Sequence, residues 1–408
     1  MKRLVMLVLA VGCGWVAGQA WGAERGTTSA DYLKIGLGAG AVGMGEAYAA
    51  HAGDVTSMFY NPAGLAEVDV NQLTATHLNW IADTQYEALA YARPNLEFGT
   101  IGLSLFMLHM PPIPARDELN NDTGLVNAYD LGVQFSYARD LNRWTGLTGL
   151  EGGVSLKFLR RELAGLSASG GAADLGAIYH VNENWSLGLA LSNLGYLSPF
   201  GNESGQESLP AGMRVGVAYT LAITEGQKLL AMVDLTQAVD DDLKANAGLE
   251  YSLGGNLHAR VGYKYGYAND GFQTGLGLGW QNLSVDYALK IMGTFGLTHY
   301  VSASWGFGEP IGEQQQDRGQ TLLKSAEDLY SQSKYPEALK VVEEAIVINP
   351  KSQQAQQLRD KLKTVLDMLQ MPADPNAVVA PAPTPGSAPL SADELEEKNA
   401  TTPQEVKP

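Results

Sequence analysis

The feature that most limits what this chain can fold into is a series of period-two segments between Asn71 and Phe307. In one of them, Leu257, Ala259, Val261, Tyr263, Tyr265 and Tyr267 alternate with His258, Arg260, Gly262, Lys264 and Gly266. Every charge falls on one face, so the segment reads as a strand between an apolar and a polar environment. Leu283 to Ile291 repeats the pattern and puts Asp286 and Lys290 on the polar face. His258, Arg260, Lys264, Asp286 and Lys290 are therefore expected to point inward from a sheet whose other face meets lipid. The same alternation marks about 14 strands of bilayer-crossing length, over 71–81, 84–94, 97–110, 127–139, 149–162, 170–181, 184–195, 211–224, 228–237, 243–253, 256–268, 271–280, 282–292 and 297–307. The expected fold class is all-β: an antiparallel transmembrane β-barrel over 71–307, closed by an even number of strands.

The connections support this independently. The long polar loops Pro111–Val126 and Tyr196–Pro210 are the third and seventh, whereas the tight links at Asn182–Asn184, Gly254–Gly255 and Gln281–Asn282 are the sixth, tenth and twelfth. Long loops at one end and short turns at the other are the asymmetry of an outer-membrane barrel, with the odd connections outside. Aromatics gather near strand ends, at Trp80, Trp185, Trp280, Tyr300, Trp305 and Phe307, where an interfacial girdle or core packing would place them. Ser186, Gly188, Ala190 and Ser192 put small side chains inward, which leaves room for a plug or a ligand and argues against an open, charge-lined pore.

The flanks differ from this middle region. Residues 1–23 read as a signal peptide: Lys2 and Arg3, an apolar run from Leu4 to Gly12, then small residues near Ala20 and Ala23. The run is too short to cross a bilayer as a helix. Cys13, the only cysteine, lies within it; cleavage would leave a thiol-free protein, the alternative being lipid attachment at Cys13. Residues 319–370 have helical spacing. Tyr335, Ala338, Leu339, Ala345 and Pro350 resemble the second helix of a tetratricopeptide repeat, although one repeat is fewer than a superhelix needs. Residues 371–408 are Pro-rich and then acidic, and read as a disordered tail. By chain order, 319–370 and the tail fall on the periplasmic side.

Between signal and barrel, residues 24–70 read as an irregular segment whose glycines let it pass close to other backbone. Gly38, Gly40 and Gly43 mimic a dinucleotide-binding loop, but no βαβ unit surrounds them. Leu33-Lys34-Ile35-Gly36, Met44-Gly45-Glu46-Ala47, Asp54 and Tyr60-Asn61-Pro62-Ala63-Gly64-Leu65 resemble the N-terminal signature of the PorV/PorQ family, within the FadL-like superfamily of outer-membrane barrels. That resemblance implies a 14-stranded barrel closed by a plug. It places the plug at residues 24–70 and marks Gly36, Met44, Gly45, Asp54, Asn61, Pro62, Ala63 and Gly64 as its motif, to which the close-approach glycines Gly38 and Gly43 are added. It implies one of two roles: a channel for hydrophobic small molecules, or a docking barrel in protein secretion that holds a periplasmic partner through residues 319–370.

No enzymatic chemistry is expected. There is no Gly-x-Ser-x-Gly elbow, and His51, His77, His109, His180, His258 and His299 lack paired ligand spacing. Asp240-Asp241-Asp242 reads as a solvated turn rather than a calcium loop, since ligand spacing and a turn glycine are missing. No cofactor is expected. The net charge of −17 comes with no basic run, which excludes a nucleic-acid surface. The expected partners are outer-membrane lipid, a hydrophobic small-molecule ligand and a periplasmic protein.

Overall fold

The computed structural model of the protein describes residues 26–201, 205–269, 271–349 and 352–370. The expected signal peptide (1–23), Pro350 and the tail (371–408) lie outside the described residues. Fourteen long strands form the wall: β1 (Asn71–Asn79), β2 (Gln85–Arg93), β3 (Thr100–His109), β4 (Ala128–Asp140), β5 (Leu150–Leu163), β6 (Leu166–His180), β7 (Trp185–Leu197), β8 (Gly212–Thr224), β9 (Gln227–Ala238), β10 (Lys244–Leu253), β11 (Leu257–Tyr265), β12 (Phe272–Trp280), β13 (Leu283–Ile291) and β14 (Leu297–Phe307). Each pairs antiparallel with the next. β14 then returns to β1, from Asn71 opposite Phe307 to Asn79 opposite His299, so the sheet is closed and the long strands have no free edge. A two-residue strand, Glu207–Ser208, adds to the end of β7.

Alternation places the two faces as expected. Leu103, Leu105, Phe135, Leu156, Phe158, Leu276 and Leu278 stand exposed on the outside. The opposite positions are buried against material inside the ring. Large apolar side chains facing outward all round a closed sheet are what a hydrocarbon surrounding requires.

Several details differ from the sequence-based expectation. β11 ends at Tyr265, because Gly266 takes φ +88° and breaks the alternation. Tyr267 therefore does not continue the outer face; its hydroxyl donates to Asn246 Oδ1 at 3.1 Å. β6 begins earlier than expected, because Ala164 and Gly165 make a tight positive-φ turn straight after β5. The long third loop is not structureless: Ile113–Arg116 and Asp122–Val126 pair as a hairpin. Of the strand-end aromatics, Trp185, Trp280 and Trp305 are exposed, but Tyr300 is wholly buried and Trp80 packs against the interior.

The chain divides into two compact units, Met1–Asp317 and Arg318–Pro408. Beyond β14 the described residues form three helices, α1 (Ile311–Ser331), α2 (Tyr335–Ile348) and α3 (Gln353–Gln370). Leu323, Ala326, Ala338, Val342, Ala345, Ala355 and Leu362 form a core of their own, with Leu339 packed beside it. Tyr335 opens α2 and meets Tyr330 edge-on at 5.5 Å between ring centres.

The outward face yields the first expectation. Leu103 sits mid-strand in β3, opposite Tyr91 and Phe135. Leu103→Arg should cost about 2–4 kcal/mol if that face meets the middle of a bilayer. Unfolding titrations in lipid vesicles, read by the gel shift that boiling produces in a barrel, measure it; a stability equal to wild type would place this face in water.

Candidate functional site

Inside the ring runs the segment from Gly26 to Val70, which has little regular structure: a short helix at Ala39–Gly43 and single 3-10 turns at Asp31–Lys34, Val55–Phe59 and Pro62–Glu67. Such a backbone satisfies only part of itself, through turn bonds such as Val42 N to Gly38 O and Asn61 N to Ser57 O, and an unpaired buried N–H or C=O costs roughly 1–3 kcal/mol. Wall side chains supply the partners. Ala39 N donates to Ser302 Oγ at 2.9 Å, and Tyr48 N and Ala49 N donate to Asp234 Oδ2 at 2.7 and 2.9 Å. Val55 N donates to Gln72 Oε1 at 2.9 Å. Asn246 Nδ2 donates to Gly45 O at 2.6 Å, and Gln134 Nε2 to Met58 O at 2.9 Å.

The motif residues lie along this segment as follows. Gly36 passes close to Glu46 and Tyr60; Gly38, at φ +87°, opens the short helix; and Gly43 closes it against Gly275. Met44 is buried. Gly45 takes φ +67° and touches the wall so closely that a Cβ on Gly262 would lie 2.0 Å from its nitrogen. Asp54 caps the turn that follows: it accepts from Ser57 N at 3.0 Å and Tyr48 Oη at 2.5 Å, and meets His51 Nε2 at 2.9 Å. Burial pushes the Asp54 carboxyl up, but His51, Tyr48 and Ser57 outweigh it and hold it below its usual value.

Asn61 is fully buried and joins three backbones. Its Oδ1 accepts from Ala63 N at 3.1 Å, and its Nδ2 donates to Ala49 O at 2.6 Å and to Ala177 O of β6 at 3.1 Å. Pro62 starts the turn with its fixed φ, followed by buried Ala63 and Gly64. The turn fits only because β5 and β6 carry glycine there. A Cβ on Gly153 would sit 2.4 Å from Ala63 N, and one on Gly176 would sit 2.0 Å from Asn61 Oδ1.

The expected inward charges line the interior and are paired. Lys264 Nζ lies 2.8 Å from Glu46 Oε2, and Lys290 Nζ 3.2 Å from Glu46 Oε1. Arg260 pairs with Glu250 at 2.6 Å and with Asp286, while His258 Nδ1 lies 3.3 Å from Glu250. Glu46 is thus the inner segment's charged anchor, with Arg214 Nη1 donating to its carbonyl at 2.6 Å. Burial alone would raise the Glu46 pKa, but Lys264 and Lys290 bring it down to about 2. Sequence reading had Glu46 only as part of a motif; a carboxylate between two glycine-flanked turns carries no local sign of a partner more than 200 residues away. Asp240 differs from the solvated turn its sequence suggests. Asp240 is buried, and Lys34 Nζ and Thr28 Oγ1 lie 2.7 and 2.6 Å from its Oδ2.

A cavity of about 140 Å³ opens between Leu33–Leu37 and the wall. Leu37, Phe59, Tyr60, Tyr86 and Phe106 form its apolar side. Lys157 and Arg214 reach its polar side, each paired with an aspartate, Lys157 with Asp174 at 2.8 Å and Arg214 with Asp234 at 3.3 Å.

No protein-family model matches the sequence, and no curated protein matches it. Among solved structures, the chain is similar to the Ralstonia pickettii toluene transporter TbuX, at 15% identity and a TM-score of 0.47, over 67% of this chain and 99% of that one. It is similar to the P. putida toluene transporter TodX at 13% identity and 0.47, over 67% and 99%. A Pseudomonas aeruginosa FadL homologue aligns at 10% and 0.43, over 67% and 98%. Likenesses this loose decide neither substrate nor mechanism.

Two expectations follow from the anchors. Glu46→Gln leaves two buried lysines without their shared carboxylate and should cost about 3–5 kcal/mol. Because its folded pKa lies below the ordinary 4.5, Glu46 stabilises fully above that value, and the contribution is lost as pH falls toward about 2. Protease susceptibility of residues 26–70 should therefore rise between pH 4.5 and 2 in the wild type and be raised already at pH 7 in Glu46→Gln. Asn61→Ala should cost roughly 1–3 kcal/mol for the carbonyls it leaves unpaired. It should increase entry of a bulky antibiotic into cells while the heat-shifted barrel band is retained; unchanged entry would make Asn61 only a local turn former.

Proposed function

We propose that the chain is a non-enzymatic outer-membrane barrel of the FadL-like kind and PorV/PorQ type. Residues 24–70 are its plug, and hydrophobic small molecules are its cargo. The observation that carries this reading is the cavity between Leu33–Leu37 and the wall. Its apolar side, Leu37, Phe59, Tyr86 and Phe106, faces a polar side that carries Lys34, Glu46, Lys157 and Arg214. Ligand pockets of this kind are mostly apolar, with few polar groups to orient the guest. Of the plug's polar anchors, Asn61 and Asp54 lie elsewhere and Glu46 sits on the cavity's polar side, held by Lys264 and Lys290, so the apolar side can shift while the anchors hold.

The barrel's direction follows from its connections. The longer ones, after β3 and β7, face outside, and the C-terminal helices, which follow β14 in chain order, lie in the periplasm. Val347, Met368 and Leu369 are exposed apolar residues on those helices and favour a second reading, in which the tetratricopeptide-like unit holds a protein partner.

Entry of the hydrophobic dye N-phenylnaphthylamine into proteoliposomes tests the first reading. Leu37→Trp fills the cavity and should slow entry while the barrel band on gels persists. Deletion of residues 319–370 should leave dye entry unchanged. Equal rates for wild type, Leu37→Trp and protein-free vesicles would defeat the channel and leave the docking role.

A further inference from the structure

Where the inner segment meets the ends of β5 and β6, three side chains converge. Glu67 closes the turn Pro62–Glu67, Glu151 is the second residue of β5, and His180 is the last of β6. Each offers a ligand atom, and the three atoms lie within 4.8 Å of one another. His180 Nε2 is 3.3 Å from Glu67 Oε1 and 3.5 Å from Glu151 Oε1. In a tetrahedral site with bonds of about 2.0–2.2 Å, ligand atoms stand about 3.3–3.6 Å apart, so both His180 separations already match one small cation between the three side chains.

A second observation points to a ligand. The Glu151 side chain is only 8% exposed, yet its Oε2 is buried without a hydrogen-bond partner. His180 Nε2 is likewise buried and makes no hydrogen bond, although a carboxylate oxygen of Glu67 and one of Glu151 approach it. The other ring nitrogen, Nδ1, is 2.9 Å from Ser186 Oγ, which fixes the ring so that Nε2 faces the two carboxylates. Buried polar atoms are normally satisfied, and here two neighbouring side chains each leave one for a third party.

We propose that Glu67, Glu151 and His180 bind a divalent cation of the zinc class, which fastens the end of the inner segment to the wall. Two carboxylates offset the charge of such an ion, and neutral imidazole favours zinc over calcium or magnesium, which prefer all-oxygen shells. A cavity of about 780 Å³ borders Glu67 and His180 and leaves the fourth coordination position open to water. The site does not depend on what the barrel carries.

Full-length protein, purified in detergent and stripped with chelator, should take up one Zn²⁺ per chain, with a large excess of Ca²⁺ failing to displace it. Glu67→Gln, at an exposed side chain, and His180→Gln should each weaken Zn²⁺ binding at least tenfold. Wild-type protein loaded with Co²⁺ should show the visible absorption of a four-coordinate nitrogen–oxygen site, a readout that needs no variant to fold. Zn²⁺ should also raise the temperature at which residues 26–70 become open to protease, an effect absent in Glu67→Gln. Failure of the wild type to retain Zn²⁺, or equal retention by both variants, would overturn the site and leave the cluster as a simple ion pair.

Discussion

Everything inside this barrel depends on one constraint: a stretch of irregular backbone runs where neither a regular ladder nor bulk water satisfies it. A strand of the wall pairs with its neighbours, but Gly26–Val70 pairs only part of its backbone within itself, in short turns such as Val42 N to Gly38 O and Gly53 N to Gly64 O, so the buried amides and carbonyls left over need partners from the wall. Asp234, Asn246, Gln134, Ser302 and Gln72 serve that purpose, spread over strands from β1 to β14. The segment is thus held by hydrogen bonds from all round the ring. The wall's inward glycines are the other half of the same constraint. Gly153, Gly176 and Gly262 let the inner backbone come close enough for those bonds to form.

The fold was legible because a sheet between two solvents writes its geometry into the sequence at period two, and a closed one repeats it without an edge strand. That is why the fourteen strands, down to β13 at Leu283–Ile291 within 282–292, could be placed from alternation. What failed is what alternation cannot encode. Tyr267 sits one step past a positive-φ glycine that reverses its direction. Tyr300 and Asp240 occupy positions that look interfacial or solvated until the inner segment packs against them. Period two tells which face a side chain takes and is silent on what lies across it, so the partners of Glu46 at Lys264 and Lys290 were out of reach. The three residues of the cation cluster were invisible for the same reason: they come together only when the inner segment's last turn docks at the ends of β5 and β6.

The distribution of charge separates two parts of the inner segment. From Glu46 to Asn61 it is fixed by buried ions and side-chain amides whose loss costs kilocalories each. Around Leu33–Leu37 it is held chiefly by apolar contacts with Tyr86, Phe106 and their neighbours, together with the Lys34–Asp240 pair near the connection after β9. Apolar contacts are non-directional and can be exchanged for contacts with a guest of similar character, whereas a buried ion pair cannot be opened without stranding a charge. On the proposed reading, cargo therefore displaces the part of the plug beside the cavity and leaves the anchored part in place. Full extraction of the plug would have to break Glu46 from two lysines, Asn61 from two carbonyls and Asp234 from two amides together. A path that rearranges Leu33–Leu37 alone avoids all three and gives up a single buried hydrogen bond to the anchored part, from Tyr60 Oη to Leu37 O at 2.9 Å.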